Sequence, residues 1–366
     1  MSSRKKYLTA LLLLILLMVL LTGCGAKTEP APSSAPAEGA KEELQEEKKV
    51  DPIVLKFAAT YSELHPQALA DKAWMEKIAQ ETGGRVKIEP YWGGALMSAD
   101  QAYIELSKGV ADIAEFSGAY VKEGFEIEKS MRLLFYNVTE PEVARRIYHE
   151  LRGKFPEIDA EFPDVKILAY HAISPYQLIT TKKAVNKVED FKGLMLKVSG
   201  DYAALAKALG ADAAPIPMSE TYVALQKGTI DGATVPLETL KSFSFGEVVN
   251  YVTEINMATG PTPHRAMNLK TWNSLPKDIQ KVFEDNVEWY GKKIEEELFK
   301  ADQDGVAFAR ENGVEFIKLP EEELVKFYTV VDNLILEQMK TLSEKTGKPC
   351  SEIFAEIGRL WKEYKK

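Results

Sequence analysis

The sequence predicts an α/β fold in two lobes, and three observations carry that expectation. The stretch 191–236 reads strand, helix, strand, helix, strand, the alternation that builds a parallel sheet. A similar unit stands earlier at a constant offset. Tyr103, Leu106, Lys108, Gly109 and Asp112 match Tyr222, Leu225, Lys227, Gly228 and Asp231, each pair 119 residues apart. Finally, 366 residues exceed what one small core holds, so two bodies are expected.

At the start, Arg4-Lys5-Lys6 precedes an apolar run from Leu8 to Leu21, short for a membrane span and suited to a secretory leader. Leu21-Thr22-Gly23-Cys24 resembles the bacterial lipobox, in which cleavage precedes a cysteine that becomes lipidated. Residues 1–23 are therefore expected to be a leader and Cys24 the lipid site. Residues 24–50 are rich in Ala, Pro, Glu and Lys without apolar periodicity. Such a segment buries too little to order itself and would serve as a tether reaching about 25–30 Å.

The first lobe is expected over 51–172 with 261–300. Ile53 to Ala59 reads as a strand, and Tyr61-Ser62-Glu63 follow its carboxyl end. Pro66 opens a helix carrying Ala70, Trp74 and Ile78, stopped by Gly83-Gly84. Arg85 to Tyr91 alternates as a strand, Ala99 to Lys108 is helical, and Ala111 to Phe116 is the next strand. Residues 126–136 read as a loop before a helix at 140–152, and Val165 to His171 as the strand that leads out.

The second lobe is expected over 173–260 with 301–366. Leu178 to Thr181 is its first strand. Leu194–Val198 is a buried strand between Gly193 and Gly200, and Tyr202 to Leu209 a helix ended by Gly210. Pro215 to Met218 is extended. Ser219 caps a helix with Val223 and Leu225 inside and Gly228 as its stop, and Ala233 to Val235 closes the unit. Residues 261–268 return to the first lobe. An apolar pattern from about 275 to 311 would make a helix roughly 55 Å long, which bends at Gly291 or Gly305 or lies across both lobes. A strand at 314–317 and amphipathic helices at 321–345 and 351–364 complete the chain.

The central stretch resembles a known family. EDFKGLMLKVS from Glu189, then KALGADAAPIPMSETYVALQKGTIDGATVP from Lys207, is similar to the signature of solute-binding proteins of tripartite ATP-independent periplasmic (TRAP) transporters, in the C4-dicarboxylate-binding branch. MNLKTWNSLPKDIQKVF from Met267 resembles the same family's return strand and helix. The resemblance implies a periplasmic-binding-protein-like fold with hinges near 172–176 and 260–264 and a helix spanning both lobes. It implies capture of a small organic solute, a carboxylate, outside the cytoplasm, and delivery to small and large membrane subunits of an ion-driven carrier. Here the family's carboxylate-gripping Arg is Lys197, its ligand-facing Asn is Val235, and a position near Gln177 is often a second Arg. Its acidic contact falls near Ser117.

In α/β sheets ligands bind beyond the carboxyl ends of the strands. That places Lys197, Met218 and Val235 on one rim of the cleft, and the 119-residue offset places Phe116 and Ser117 opposite Val235. Tyr61, Phe116, Tyr176, Met218 and Tyr222 are candidate walls, with core packing the alternative for each. Lys197 either snorkels to solvent or pairs with an anionic ligand; Lys offers one compact charge where Arg offers a planar fork. Fewer charged groups and more apolar ones point to a monocarboxylate with an apolar or aromatic body, or a neutral solute, rather than a dicarboxylate.

The formal charge of −9 argues against nucleic-acid binding. No GxSxG, P-loop, CxxC or HExxH occurs, so no enzyme is expected. His65, His149, His171 and His264 lack metal-ligand spacing, and Asp302-Gln303-Asp304-Gly305 lies in a helical pattern, so neither metal nor cofactor is expected. Cys350 stands alone. A ligand-binding partner of a membrane sensor would share this fold and cleft.

Overall fold

The computed structural model describes residues 51–198, 202–214, 216–260 and 263–365, with Ala119 by its backbone. The expectations for the leader, Cys24, the tether, Gly200, Pro215 and Pro261 lie outside these residues. Eleven strands are present among them: β1 Ile53–Ala58, β2 Val86–Tyr91, β3 Ile113–Phe116, β4 Val165–Tyr170, β5 Tyr176–Thr180, β6 Met195–Lys197, β7 Asp212–Ala214, β8 Gly232–Val235, β9 Tyr251–Met257, β10 His264–Asn268 and β11 Glu315–Lys318.

They form two sheets. The first has the order β2-β1-β3-β10-β4, with β1, β2 and β3 parallel and β10 antiparallel to its neighbours. The second has the order β11-β9-β5-β8-β6-β7, in which β6, β7 and β8 are parallel and β5 is antiparallel to β8 and β9. The chain passes between sheets three times, from β4 to β5, from β9 to β10 and, through a long helical stretch, from β10 to β11; the first two passages fall where the sequence expects the hinges.

The predicted duplication is built into both sheets. The helices Ala102–Ser107 and Met218–Lys227 each run into a left-handed glycine, Gly109 at φ +81° and Gly228 at φ +68°. Such a glycine lets the chain reverse without a Cβ clash. In each unit the next amide bonds back into the helix, Val110 to the Glu105 carbonyl and Thr229 to the Ala224 carbonyl, both at 3.0 Å. An aspartate then clamps the neighbouring strand. Asp112 accepts from the Lys56 amide and Asp231 from the Met195 amide, both at 2.8 Å.

Five local readings are corrected. The expected loop at 126–136 is largely a helix, Glu126–Leu134, because Ile127, Met131 and Leu134 repeat at helical spacing and are buried. The strand expected at 215–218 lies earlier, at β7, which pairs with β6 directly after Gly210 turns the chain. Pro217 rather than Ser219 precedes the next helix, since its extended backbone (φ −61°, ψ 153°) already sets the entry. That helix buries Thr221 and Leu225 and leaves Val223 exposed. The long helix breaks at Asn286, giving Lys277–Asp285 and Val287–Glu311, not at either glycine.

The 25-residue piece Val287–Glu311, about 37 Å long, is the strut that spans both lobes. Its first half packs on the helix Pro66–Glu81 and on β4; its second half packs on the helix Thr239–Ser242 and the turn Phe245–Glu247. Close contacts sit at its glycines: a Cβ on Gly305 would come within 2.2 Å of the Leu237 carbonyl oxygen. Grouping 301–366 with the second lobe meets a more divided arrangement. The helix Glu321–Thr346 packs on Ala203–Ala208 and also on Glu126–Leu134, and the helix Cys350–Tyr364 lies on Pro141–Lys154 of the first lobe. One apolar core runs beneath them, from Phe116 and Phe162 through Phe191 to Phe327 and Ile353.

Candidate functional site

The carboxyl ends of β1 and β3 in the first sheet, and of β6 and β8 in the second, define the candidate site. On the second sheet one edge gathers the expected groups. Lys197 ends β6, level with Ala233 of β8, and Gln177 of β5 is paired with Val235. Because β5 runs opposite to β8, the first residue of β5, Tyr176, stands at the same edge as the ends of β6 and β8. Neighbouring strands lie about 4.8 Å apart, so β5 and β6 are separated by roughly 10 Å. Lys197 is 5% exposed. Gln177 is held by Asn256: its Nε2 donates to Asn256 Oδ1 at 2.9 Å, and its Oε1 accepts from the Asn256 amide at 3.0 Å. That pairing turns the amide into a brace between β5 and β9.

The first lobe reaches this edge through Arg132, a residue that a loop reading of 126–136 overlooks. Its guanidinium is buried and Nη2 donates to the Tyr176 hydroxyl at 3.1 Å. The same group lies 5.5 Å from the centre of the Tyr202 ring and 6.0 Å from that of Tyr176. Tyr202 in turn donates to the Arg132 carbonyl at 3.4 Å. The helix that carries Arg132 is fixed at both ends. Phe125 enters it in a left-handed conformation, and the Glu161 carboxylate accepts from the Ile127 and Glu128 amides at 3.0 and 2.9 Å. At the other end, Gly260 of the return passage donates to the Arg132 carbonyl at 3.2 Å, and a Cβ on Gly260 would sit 2.5 Å from the Met131 carbonyl oxygen. His264 Nε2 lies 2.8 Å from Glu128 Oε1, tying β10 to the same helix.

A second set of contacts joins the lobes near the strut. His65, at the start of the helix Pro66–Glu81, stacks edge-on against Phe243 and holds Nε2 3.9 Å from Glu238 Oε1. The Glu238 amide donates to Asp302 on the strut at 2.8 Å. Burial, assisted by the charge of Arg265, lowers the His65 pKa to about 4. Burial likewise raises Glu238 to about 7 and Asp302 to about 6.

Behind Tyr61, the first lobe carries a buried polar network. Arg265 Nε donates to Asp71 at 3.0 Å, and Arg265 Nη2 donates to the Tyr61 hydroxyl at 2.6 Å and to Gln67 at 3.2 Å. The Tyr61 and Tyr290 hydroxyls both bond Asp71. Thr60 donates to Glu115 at 3.1 Å, whose pKa burial raises. The network holds Tyr61 at the end of β1, where its ring meets His65 and Trp92.

The remaining expected residues separate. Ser117 is buried just beyond β3. Phe116, expected opposite Val235 across a cleft, packs instead among Tyr103, Phe162 and His264, because β3 is covered on that face by the helix carrying Tyr103. Val235 is likewise a core residue of its own lobe. Met218 is half-buried against that core. Tyr222 points to the surface, where its hydroxyl donates to Glu247 at 3.2 Å. Among the described residues no group of three or more His, Cys, Asp or Glu side chains is placed to hold a metal ion. Nothing in the composition marks Arg132 or Glu238 as special; the signal for Arg132 is a charge inside the run MRLLFY, where an apolar helix face is already full.

Comparison with known proteins agrees with this architecture. Residues 57–342 match the model of the bacterial extracellular solute-binding proteins, family 7. A curated relative is the monocarboxylate 2-oxoacid-binding periplasmic protein of Nostoc sp., 26% identical over 57% of this chain and 58% of that protein. Among solved structures, a TRAP periplasmic solute-binding protein of Desulfovibrio salexigens, in an open complex, is 26% identical, with a TM-score of 0.71 over 85% of this chain and 96% of that one. A TRAP solute-binding protein of Rhodoferax ferrireducens with copurified benzoate shares the fold, with 24% identity and a TM-score of 0.77 over 86% and 98% of the two chains. The chain belongs to the bacterial extracellular solute-binding proteins of family 7, the extracytoplasmic solute receptors of TRAP transporters.

Proposed function

We propose that this protein captures a monocarboxylate with an apolar or aromatic body and presents it to the membrane subunits of a TRAP carrier, while a lipid on Cys24 holds it at the membrane. The observation that carries the solute class is Lys197, a cation 5% exposed at the carboxyl end of a buried parallel strand. This strand end is where an α/β sheet meets its ligand, and an ammonium placed there attracts an anionic group. At Gln177 the second sheet carries an uncharged amide, engaged by Asn256, where a second cation would suit a second carboxylate. One compact charge suits one carboxylate better than two. The 2-oxoacid-binding name of the Nostoc relative supports the same class.

The test is a thermal-shift screen of the purified protein against monocarboxylates, dicarboxylates, amino acids and neutral osmolytes. A ligand at 100 times its dissociation constant adds about 2.7 kcal/mol, a shift of several degrees. Monocarboxylates are expected to shift the midpoint and Lys197→Ala to abolish the shift. A protein that responds only to neutral compounds would end the carboxylate reading.

A further inference from the structure

We infer that Arg132 is a second anchor for the solute's carboxylate, supplied by the first lobe to the edge of the second sheet on which Lys197 stands. The inference deepens the carboxylate reading above and rests on it. The argument begins with position. Tyr176 opens β5 at the edge where β6 and β8 end, and Arg132 Nη2 bonds its hydroxyl at 3.1 Å. A first-lobe cation therefore stands among second-lobe groups at the strand ends, where ligands of such sheets bind.

Its orientation is set from two sides. The guanidinium carbon lies 5.5 and 6.0 Å from the centres of the Tyr202 and Tyr176 rings, cation–π distances that hold the charge beside both aromatic groups. The backbone beneath is fixed by Gly260 and by the Glu161 cap, so the side chain starts from a rigid helix. A guanidinium presents its N–H groups in a planar fork and takes a carboxylate through two parallel bonds, which a lysine cannot do. Arg132 supplies the fork and Lys197 a point charge. The flanking tyrosines suit a solute whose body is apolar or aromatic.

The placement also has a mechanical consequence. Arg132 belongs to the first lobe; Tyr176, Tyr202 and Lys197 belong to the second. A carboxylate bound by both cations is gripped by both lobes, so its charge favours the closed arrangement. A neutral analogue of the same shape lacks that grip.

The experiment uses the purified full chain and calorimetric titration with pyruvate, benzoate and phenylacetate, each beside its carboxamide. Wild-type protein is expected to prefer the acid. Arg132→Gln is expected to weaken the acid about ten- to a hundredfold, the span of one charge-assisted hydrogen-bond pair, and the amide, which offers only a neutral acceptor, by much less. Arg132→Lys should recover part of the loss. The ligand-free unfolding midpoint of each variant establishes that it folds. If Arg132→Gln binds the acid as wild type does, or loses acid and amide in equal measure, Arg132 is a strut between lobes and the inference fails while Lys197 stands. A wild-type protein that binds none of the acids, or binds amide as tightly as acid, defeats the carboxylate reading and this inference with it.

Discussion

At the scale of single residues, the titratable pair at the cross-lobe contact makes stability depend on pH. Glu238 titrates near 7 in the folded protein against 4.5 as its ordinary value, because burial disfavours its charge. A folded-state pKa raised in this way contributes stability that is complete below about 4.5 and is lost as pH rises through 7. His65 acts in the opposite sense: lowered to about 4, it contributes above its ordinary 6.5 and loses that contribution as pH falls through 4. Glu238→Gln removes the first effect alone. The variant should be more stable than wild type at pH 8, by on the order of 1–3 kcal/mol, with the advantage shrinking toward pH 5. Unfolding midpoints at both values check it; a difference that does not change with pH would show that Glu238 does not titrate in this window.

At the scale of elements, the strut works because two of its residues have no side chain. At Gly305 an added Cβ would meet the Leu237 carbonyl oxygen at 2.2 Å, and that backbone belongs to the segment following β8. At Gly291 the nearest atoms belong to the Arg145 side chain, at 2.4 Å, and a long side chain can move. Arg145 is itself tied to Glu295 at 2.8 Å and to Glu288, so moving it has some cost. Gly305→Ala is expected to destabilise by about 1–3 kcal/mol, as overpacking does, and Gly291→Ala by less. Denaturant midpoints of the two variants decide the order; equal losses would mean that the strut adjusts as a rigid body.

At the scale of the whole molecule, two passages and one strut connect two sheets, and the contacts of Arg132 and His65 lie between them. Closure of such a body is hinge motion at a few residues, which the sequence expects near 172–176 and 260–264, between β4 and β5 and between β9 and β10. The proposed lipid on Cys24 would keep such a receptor near its membrane carrier. Replacing Cys24 by Ala is expected to move the protein from the membrane fraction to the soluble extracytoplasmic fraction; retention on the membrane would rule out the lipid.

Much of this was legible in the chain itself, because it rests on local chemistry. Gly109 and Gly228 mark left-handed turns wherever they stand, and the aspartates that follow them at one spacing revealed the duplicated unit that each sheet uses. The alternation around Lys197 sufficed for a parallel sheet and for its carboxyl-end edge. Residues facing across the molecule were not legible. Phe116 and Val235 occupy equivalent strand ends, yet both fill cores: Phe116 meets Tyr103 from the helix just before it and Phe162 and His264 from farther along the chain, and Val235 joins the core of its own lobe. Arg132 lies in a segment that reads as a loop, and Glu238 carries no local mark at all; Arg132 meets Tyr176, and Glu238 meets His65, only when the lobes come together. Propensity, turn chemistry and period act over a few residues, so the sequence by itself determined the elements, their order and the parallel unit. The pairing of side chains between lobes depends on contacts more than 40 residues apart, such as Arg132 with Tyr176, and only the tertiary structure decided them.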